Sequence, residues 1–144
     1  MYLIPHLLLF FGTSAALGTN CQGNTACKTA RQDGLALLRW YVGRYIYDGD
    51  GGKAFVSGRH IACINATAGA NPLDIKPGGG GLCAYYANGA SGTPSDAAKR
   101  LQQLTDFGCK ACGSVPTRGS DVLAGMLTAQ VVSRACCRGN VCFC

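Results

Sequence analysis

The residues of this chain that could do chemistry are mostly sulfur. There are ten cysteines: Cys21, Cys27, Cys63, Cys83, Cys109, Cys112, Cys136, Cys137, Cys142 and Cys144. Cys109-x-x-Cys112 has the spacing of redox and zinc motifs. A redox pair opens a helix in a thioredoxin-like unit, whereas this one follows an expected helix end. A zinc site needs a second matched pair of ligands, and His60 is the only histidine beyond His6. In a chain read as secreted, an even cysteine count points to structural disulfides, with no metal and no free thiol. Ten cysteines allow about 945 pairings, so connectivity does not follow from the count.

Other motifs are weaker. Asp48-Gly49-Asp50-Gly51-Gly52 opens like a calcium loop, but its twelfth position is Arg59 where a bidentate Glu is needed, so it reads as a turn. Gly78–Gly81 is not followed by the Gly-Lys-Ser/Thr of a phosphate loop and reads as a flexible connection. Asn65-Ala66-Thr67 is a glycosylation sequon, which makes Asn65 a candidate acceptor. The chain has no Glu and no Gly-x-Ser-x-Gly. A hydrolase therefore lacks its acid–base pair and its nucleophile, and neither an enzyme nor a cofactor is expected.

The 13 Lys and Arg residues outnumber seven Asp, giving a net charge of +6. The cations are dispersed, with no run of five, so a nucleic-acid partner is not expected. Attraction to an acidic cell surface or channel vestibule fits this charge, and so does solubility alone.

The N-terminus reads MYLIPHLLLFFGTSAALG, with an apolar run from Leu7 to Phe11 and small residues after it. The run is shorter than the ~20 residues needed to span a bilayer. Ser14 and Ala16 fit a cleavage site, although no Lys or Arg lies near Met1. Residues 1–16 are therefore expected to be a signal peptide and 17–144 a single domain, secreted, oxidised and monomeric. Within it, residues 134–144 carry four cysteines and read as a stapled C-terminal extension.

The elements that must position these groups are legible in part. Helical spacing of Leu35, Leu38, Val42 and Tyr45 predicts a helix over Thr29–Tyr47, with Arg31, Arg39 and Arg44 largely elsewhere on the wheel. Trp40 and Tyr41 read as core or boundary filler, with an aromatic recognition patch as the alternative. A second helix is announced by Thr93 as N-cap, Pro94 in the first turn and Asp96 against the dipole. Its buried stripe is Ala97, Leu101, Leu104 and Phe107, and Gly108 stops it. Strand-like runs are Lys53–Ser57, Arg59–Ala66, Leu82–Ala87, Lys110–Val115 and Met126–Ser133, with a turn at Asn88-Gly89. The pattern predicts an α+β fold: a two-layer sandwich, with both helices on one face of an about five-stranded antiparallel sheet.

Two blocks carry a resemblance. LGTNCQGNTAC begins at Leu17, and FGCKACGSVPTRGSDVLAGMLTAQVV begins at Phe107. They resemble the fungal killer toxin family of killer protein four, whose mature chains begin Leu-Gly and then Asn-Cys. The matching positions are Leu17, Gly18, Asn20, Cys21, Cys27, Gly108, Cys109, Cys112, Gly113, Ser114, Ser120, Asp121, Val122, Gly125, Leu127 and Thr128. The match covers both ends of the expected mature chain and thins in the middle. Cys63 and Cys83 align with further family cysteines. Two family cysteines are replaced here by Gly43 and Ala98, which reads as one missing bridge.

The resemblance implies a five-stranded antiparallel sheet with two helices, held by disulfides. It also implies killing of competing fungi without enzymatic chemistry, through block of calcium uptake by voltage-gated channels. Relatives act on fungal or plant cells, so the expected partner is a membrane channel or cell-surface component of a target cell. A secreted non-toxic effector or wall-binding module is the alternative. The family's functional lysine falls two residues before Cys63, where this chain has Ile61. Lys53, Arg59 and His60 are left as candidate target-binding residues. Cys21 and Cys27 flank the approach to the first helix and Cys109 and Cys112 follow the second, so these two pairs are expected to be joined to each other. Three more bridges among the remaining six cysteines would make five.

Overall fold

The computed structural model describes residues 17–135. The expected signal segment, and Cys136, Cys137, Cys142 and Cys144, four of the six cysteines expected to form three further bridges, lie outside the described residues. Helix α1 spans Gly34–Tyr47 and α2 spans Pro94–Phe107. The strands are β1 (His60–Ile64), β2 (Gly81–Ala87), β3 (Gly113–Pro116) and β4 (Met126–Val132). They form one antiparallel sheet in the order β1-β2-β4-β3. Among the described residues the fold is α+β, as expected, with four strands where about five were expected.

The missing strand is Lys53–Ser57. Only Phe55 pairs, in a single bridge to Gly92, because the chain turns at Gly58 (φ 84) before β1 begins. A one-residue bridge from Asn20 to Ser114 extends the opposite edge beside β3. The expected start of β3 at Lys110 is also too early. Residues 110–112 instead cross the start of α1, where the Leu35 amide donates to the Lys110 carbonyl at 2.9 Å.

Period-two alternation divides the sheet. Leu82, Ala84 and Tyr86 of β2 share a cluster with Leu127 and Ala129 of β4 and with the buried residues of both helices. Cys83 lies in a smaller cluster with Cys63, Ile75 and Ala135, against which Tyr85 packs. Both helices therefore bury their stripes against one face.

Helix α1 starts five residues later than expected. Residues Thr25–Thr29 form a 3₁₀ turn, and Arg31 is 6% exposed instead of facing water. Its guanidinium grips both carboxylate oxygens of Asp33, at 2.7 and 3.1 Å, and donates to the carbonyls of Asn65 and Ala70. The Arg31 amide also donates to Ala66. This anchorage after β1 holds the segment out of the helix. The arginine's hydrogen bonds and charge hold the Asp33 carboxyl below the usual carboxylate range.

Helix α2 follows its local signals. Thr93 accepts from the Asp96 amide at 3.2 Å, Pro94 occupies the first turn, and Gly108 takes the left-handed conformation (φ 106) that closes the helix. Ala97, Leu101 and Leu104 are buried, but Phe107 is 59% exposed. At about 100° per residue, Phe107 lies about 80° from Ala97 around the wheel, and the helix ends there. The core stripe thus runs past it.

Leu104 and Phe107 of α2 therefore stand in opposite surroundings. Leu104→Ala should destabilise the protein by about 2–5 kcal/mol in urea unfolding, whereas Phe107→Ala should change stability by under ~0.5 kcal/mol. Equal effects would show that α2 is rotated from this placement. Arg31→Ala should cost about 1.5–3 kcal/mol, because the Asn65 and Ala70 carbonyls lose a charged donor. A value near zero would show that the grip carries no stability.

Candidate functional site

Lys53 and Arg59 are both exposed and converge on one ring. The Lys53 ammonium lies 5.4 Å from the centroid of Phe55, and the Arg59 guanidinium lies 5.2 Å from it. Both distances are within cation–π range. Phe55 itself is fully buried and meets the edge of Tyr45 with 5.6 Å between centroids. Backbone hydrogen bonds hold the loop on either side of it. The Phe55 amide donates to Gly92 at 2.9 Å, the Gly92 amide returns a bond at 3.1 Å, and the Gly58 amide donates to Tyr86 at 2.7 Å. Val56, 63% exposed, lies between Lys53 and Arg59 in the chain. The result is a cationic loop with an exposed valine, fastened to the core by one aromatic side chain. Phe55 was legible only as part of a strand-like run, because its role comes from Tyr45 and Gly92, distant in sequence.

His60 goes elsewhere. Its ring tilts against Tyr85 at 5.2 Å, and its Nδ1 lies 3.6 Å from Cys63 Sγ. Those partners belong to the opposite face of the sheet from Phe55. Burial pushes the imidazole below its ordinary value of 6.5, so His60 adds no positive charge at neutral pH. Three potential metal ligands, His60, Cys63 and Cys83, lie within 4.8 Å of one another. The two sulfurs are joined in a disulfide, which removes the thiolates that would bind a soft metal.

Ile61 is fully buried, and its carbonyl accepts the Tyr45 hydroxyl at 3.0 Å. A lysine at this position would place an ammonium in the apolar cluster, at high desolvation cost. Surface charge near β1 must therefore come from Arg59 and Lys53.

The remaining sequence candidates are structural in their surroundings. Cys21 is joined to Cys109 and Cys27 to Cys112, so the two pairs meet each other. Cys63 joins Cys83 across β1 and β2. Asn65 is half-buried. Its Nδ2 donates to the Asp74 carbonyl at 2.6 Å, and its Oδ1 accepts from the Thr67 amide at 2.8 Å. Gly43 and Ala98 line one groove between α1 and α2. A concavity of about 750 Å³ lies beside the other end of α2. Its arginine, Arg100, is occupied in donating to the Pro116 and Thr117 carbonyls. Among the described residues, no helix is long and apolar enough to cross a membrane.

The His60 placement sets a pH dependence. Its pKa is lowered in the folded state, so between that value and 6.5 the unfolded chain binds more protons than the folded one. Stability from this group is present above 6.5 and is lost as pH falls through the window. The thermal midpoint should drop between about pH 7 and about pH 5, with a shallower slope in His60→Gln. Identical slopes would remove His60 as the cause.

A family model described as Kp4 matches residues 6–133. The KP4 killer toxin of Ustilago maydis P4 virus is 31% identical over 122 residues, spanning 82% of this chain and 82% of that protein. The range matched by the family model includes the cysteines of all three described disulfides and the Phe55 loop. This chain belongs to the Kp4 family.

Proposed function

We propose that this protein is a secreted killer toxin that inhibits growth of competing fungi or host cells by binding a surface component of the target, with calcium channels as the site of interference. The observation that carries this reading is the family match, which runs through most of the chain to a relative described as a killer toxin. Disulfide cross-links suit a protein working outside the cell, where thiols stay oxidised. Lys53 and Arg59 form the recognition surface. They project from a loop pinned by Phe55, so little conformational freedom is lost on contact. Two fixed cations beside exposed Val56 suit an acidic channel mouth with an apolar rim. His60, on the other face and neutral, supports the loop's neighbouring strand and is the lesser contact of the three candidates.

The test is growth inhibition of fungi and plant roots by the purified protein, with and without added calcium. Inhibition relieved by calcium is expected. Lys53→Ala combined with Arg59→Ala should lower potency about tenfold or more while changing stability by no more than about 1 kcal/mol. Undiminished inhibition by the double variant would remove this loop as the recognition surface. No inhibition by the parent protein would overturn the toxin reading.

A further inference from the structure

Helix α1 carries a second stripe beside its buried one. Ala36, Trp40, Gly43 and Tyr47 recur at helical spacing, flanked by Arg39 and Arg44. They line a groove of about 510 Å³ that Ala98 of α2 completes. The groove is open at Gly43, where an added Cβ would meet nothing within 4 Å. Trp40 is 58% exposed, Ile46 47% and Tyr47 82%, so the expectation that Trp40 is core or boundary filler is not met. The core stripe Leu35, Leu38, Val42 and Tyr45 is already complete, which leaves these side chains in water.

They are also arranged. The Arg44 guanidinium lies 5.7 Å from the Trp40 ring centroid and 5.2 Å from that of Tyr47, so one cation sits between two aromatic planes. The groove includes Arg39, and none of the described residues that line it is acidic. Asp48 approaches only the Arg44 end, at 3.9 Å. The face is therefore aromatic and cationic, on a chain of net charge +6.

We propose that this face of α1 docks on an anionic phospholipid bilayer at headgroup depth. Trp40, Ile46 and Tyr47 enter the interfacial layer, and Arg39 and Arg44 meet lipid phosphates. Indole and phenol rings favour that layer because each has an apolar body and a polar tip. Guanidinium groups pair with phosphate and keep their charge at that depth. A second copy of this chain is a poorer occupant, because a two-fold contact here sets Arg39 and Arg44 against their own counterparts. A neutral glycan is poorer as well. Among the described residues that line it, the groove has no Asn, Gln, Ser or Thr to read sugar hydroxyls. Docking would concentrate the protein on a target membrane, whatever the Lys53–Arg59 loop binds there.

The sequence supplies its own reporter, since Trp40 is the only tryptophan. The full protein is titrated with vesicles of phosphatidylcholine and phosphatidylglycerol in equal parts, and separately with phosphatidylcholine alone. The mixed vesicles should shift Trp40 emission to the blue, shield it from iodide and carry the protein down on sedimentation, with weaker binding at high salt. Arg39→Ala with Arg44→Ala should reduce co-sedimentation about tenfold or more. Ile46→Ser with Tyr47→Ser keeps both charges and should lose the blue shift, with folding of each variant checked by circular dichroism. No binding to the mixed vesicles, or equal binding by both double variants and the parent, would overturn the proposal. So would a blue shift produced by soluble wall oligosaccharides without lipid. A concentration-dependent shift without vesicles, accompanied by a doubled mass, would assign the face to a second copy instead.

Discussion

The constraint on which the rest of this structure depends is the double clamp on its N-terminal arm. Cys21–Cys109 and Cys27–Cys112 close loops of 88 and 85 residues in sequence separation. A single loop of that length restricts the unfolded chain by about 4–5 kcal/mol on the chain-entropy model. The second clamp adds less, because the first has already brought the same segments together. Between them they fix an arm with few apolar anchors of its own. Asn20 then bridges Ser114, the Asn24 side chain reaches the Val131 carbonyl, and the Leu17 carbonyl accepts from Val122. Without the clamp these polar contacts would each compete with water for a mobile chain end.

The clamp also sets where α1 can begin. From Cys27 the chain must cross to the loop after β1, where Arg31 is gripped by Asp33 and two carbonyls. From that fixed point Gly34 passes close to Leu82 and Ala111, a contact that leaves no room for a Cβ. The helix is thus laid across the sheet by its first turn, and its two long faces acquire different fates. One supplies the core, and the other is left in water with Trp40, Arg44 and Tyr47.

The Lys53–Arg59 loop depends on that same core. Tyr45 of α1 gives Phe55 its edge contact and reaches the Ile61 carbonyl, so one side chain supports both the loop and β1. A change in the helix register would move the cations as well as the packing. With Ile61 filling the cluster beneath β1, positive charge is displayed from the loop instead of from the strand.

The sequence alone determined what local chemistry decides. The ends of α2 follow from Thr93, Pro94 and Gly108, because a cap and a left-handed glycine act on their own neighbours. The strands β2 and β4 follow from alternation, and the disulfide-bonded class follows from cysteine number. The cationic loop was legible as Lys53 and Arg59, though not as a surface. Only the tertiary structure decided the rest. Arg31 looks like any helix-face arginine until carbonyls from residues 65 and 70 surround it. Phe107 fits a helical stripe by spacing, yet the sheet does not extend beneath it. His60 stands next to Arg59 in the chain but faces the other side of the sheet, since adjacent strand residues point in opposite directions. Trp40 has the composition of a core residue, and its exposure follows from which face of α1 the sheet had already filled. Each of these outcomes was set by partners far away in sequence, and spacing carries no information about them.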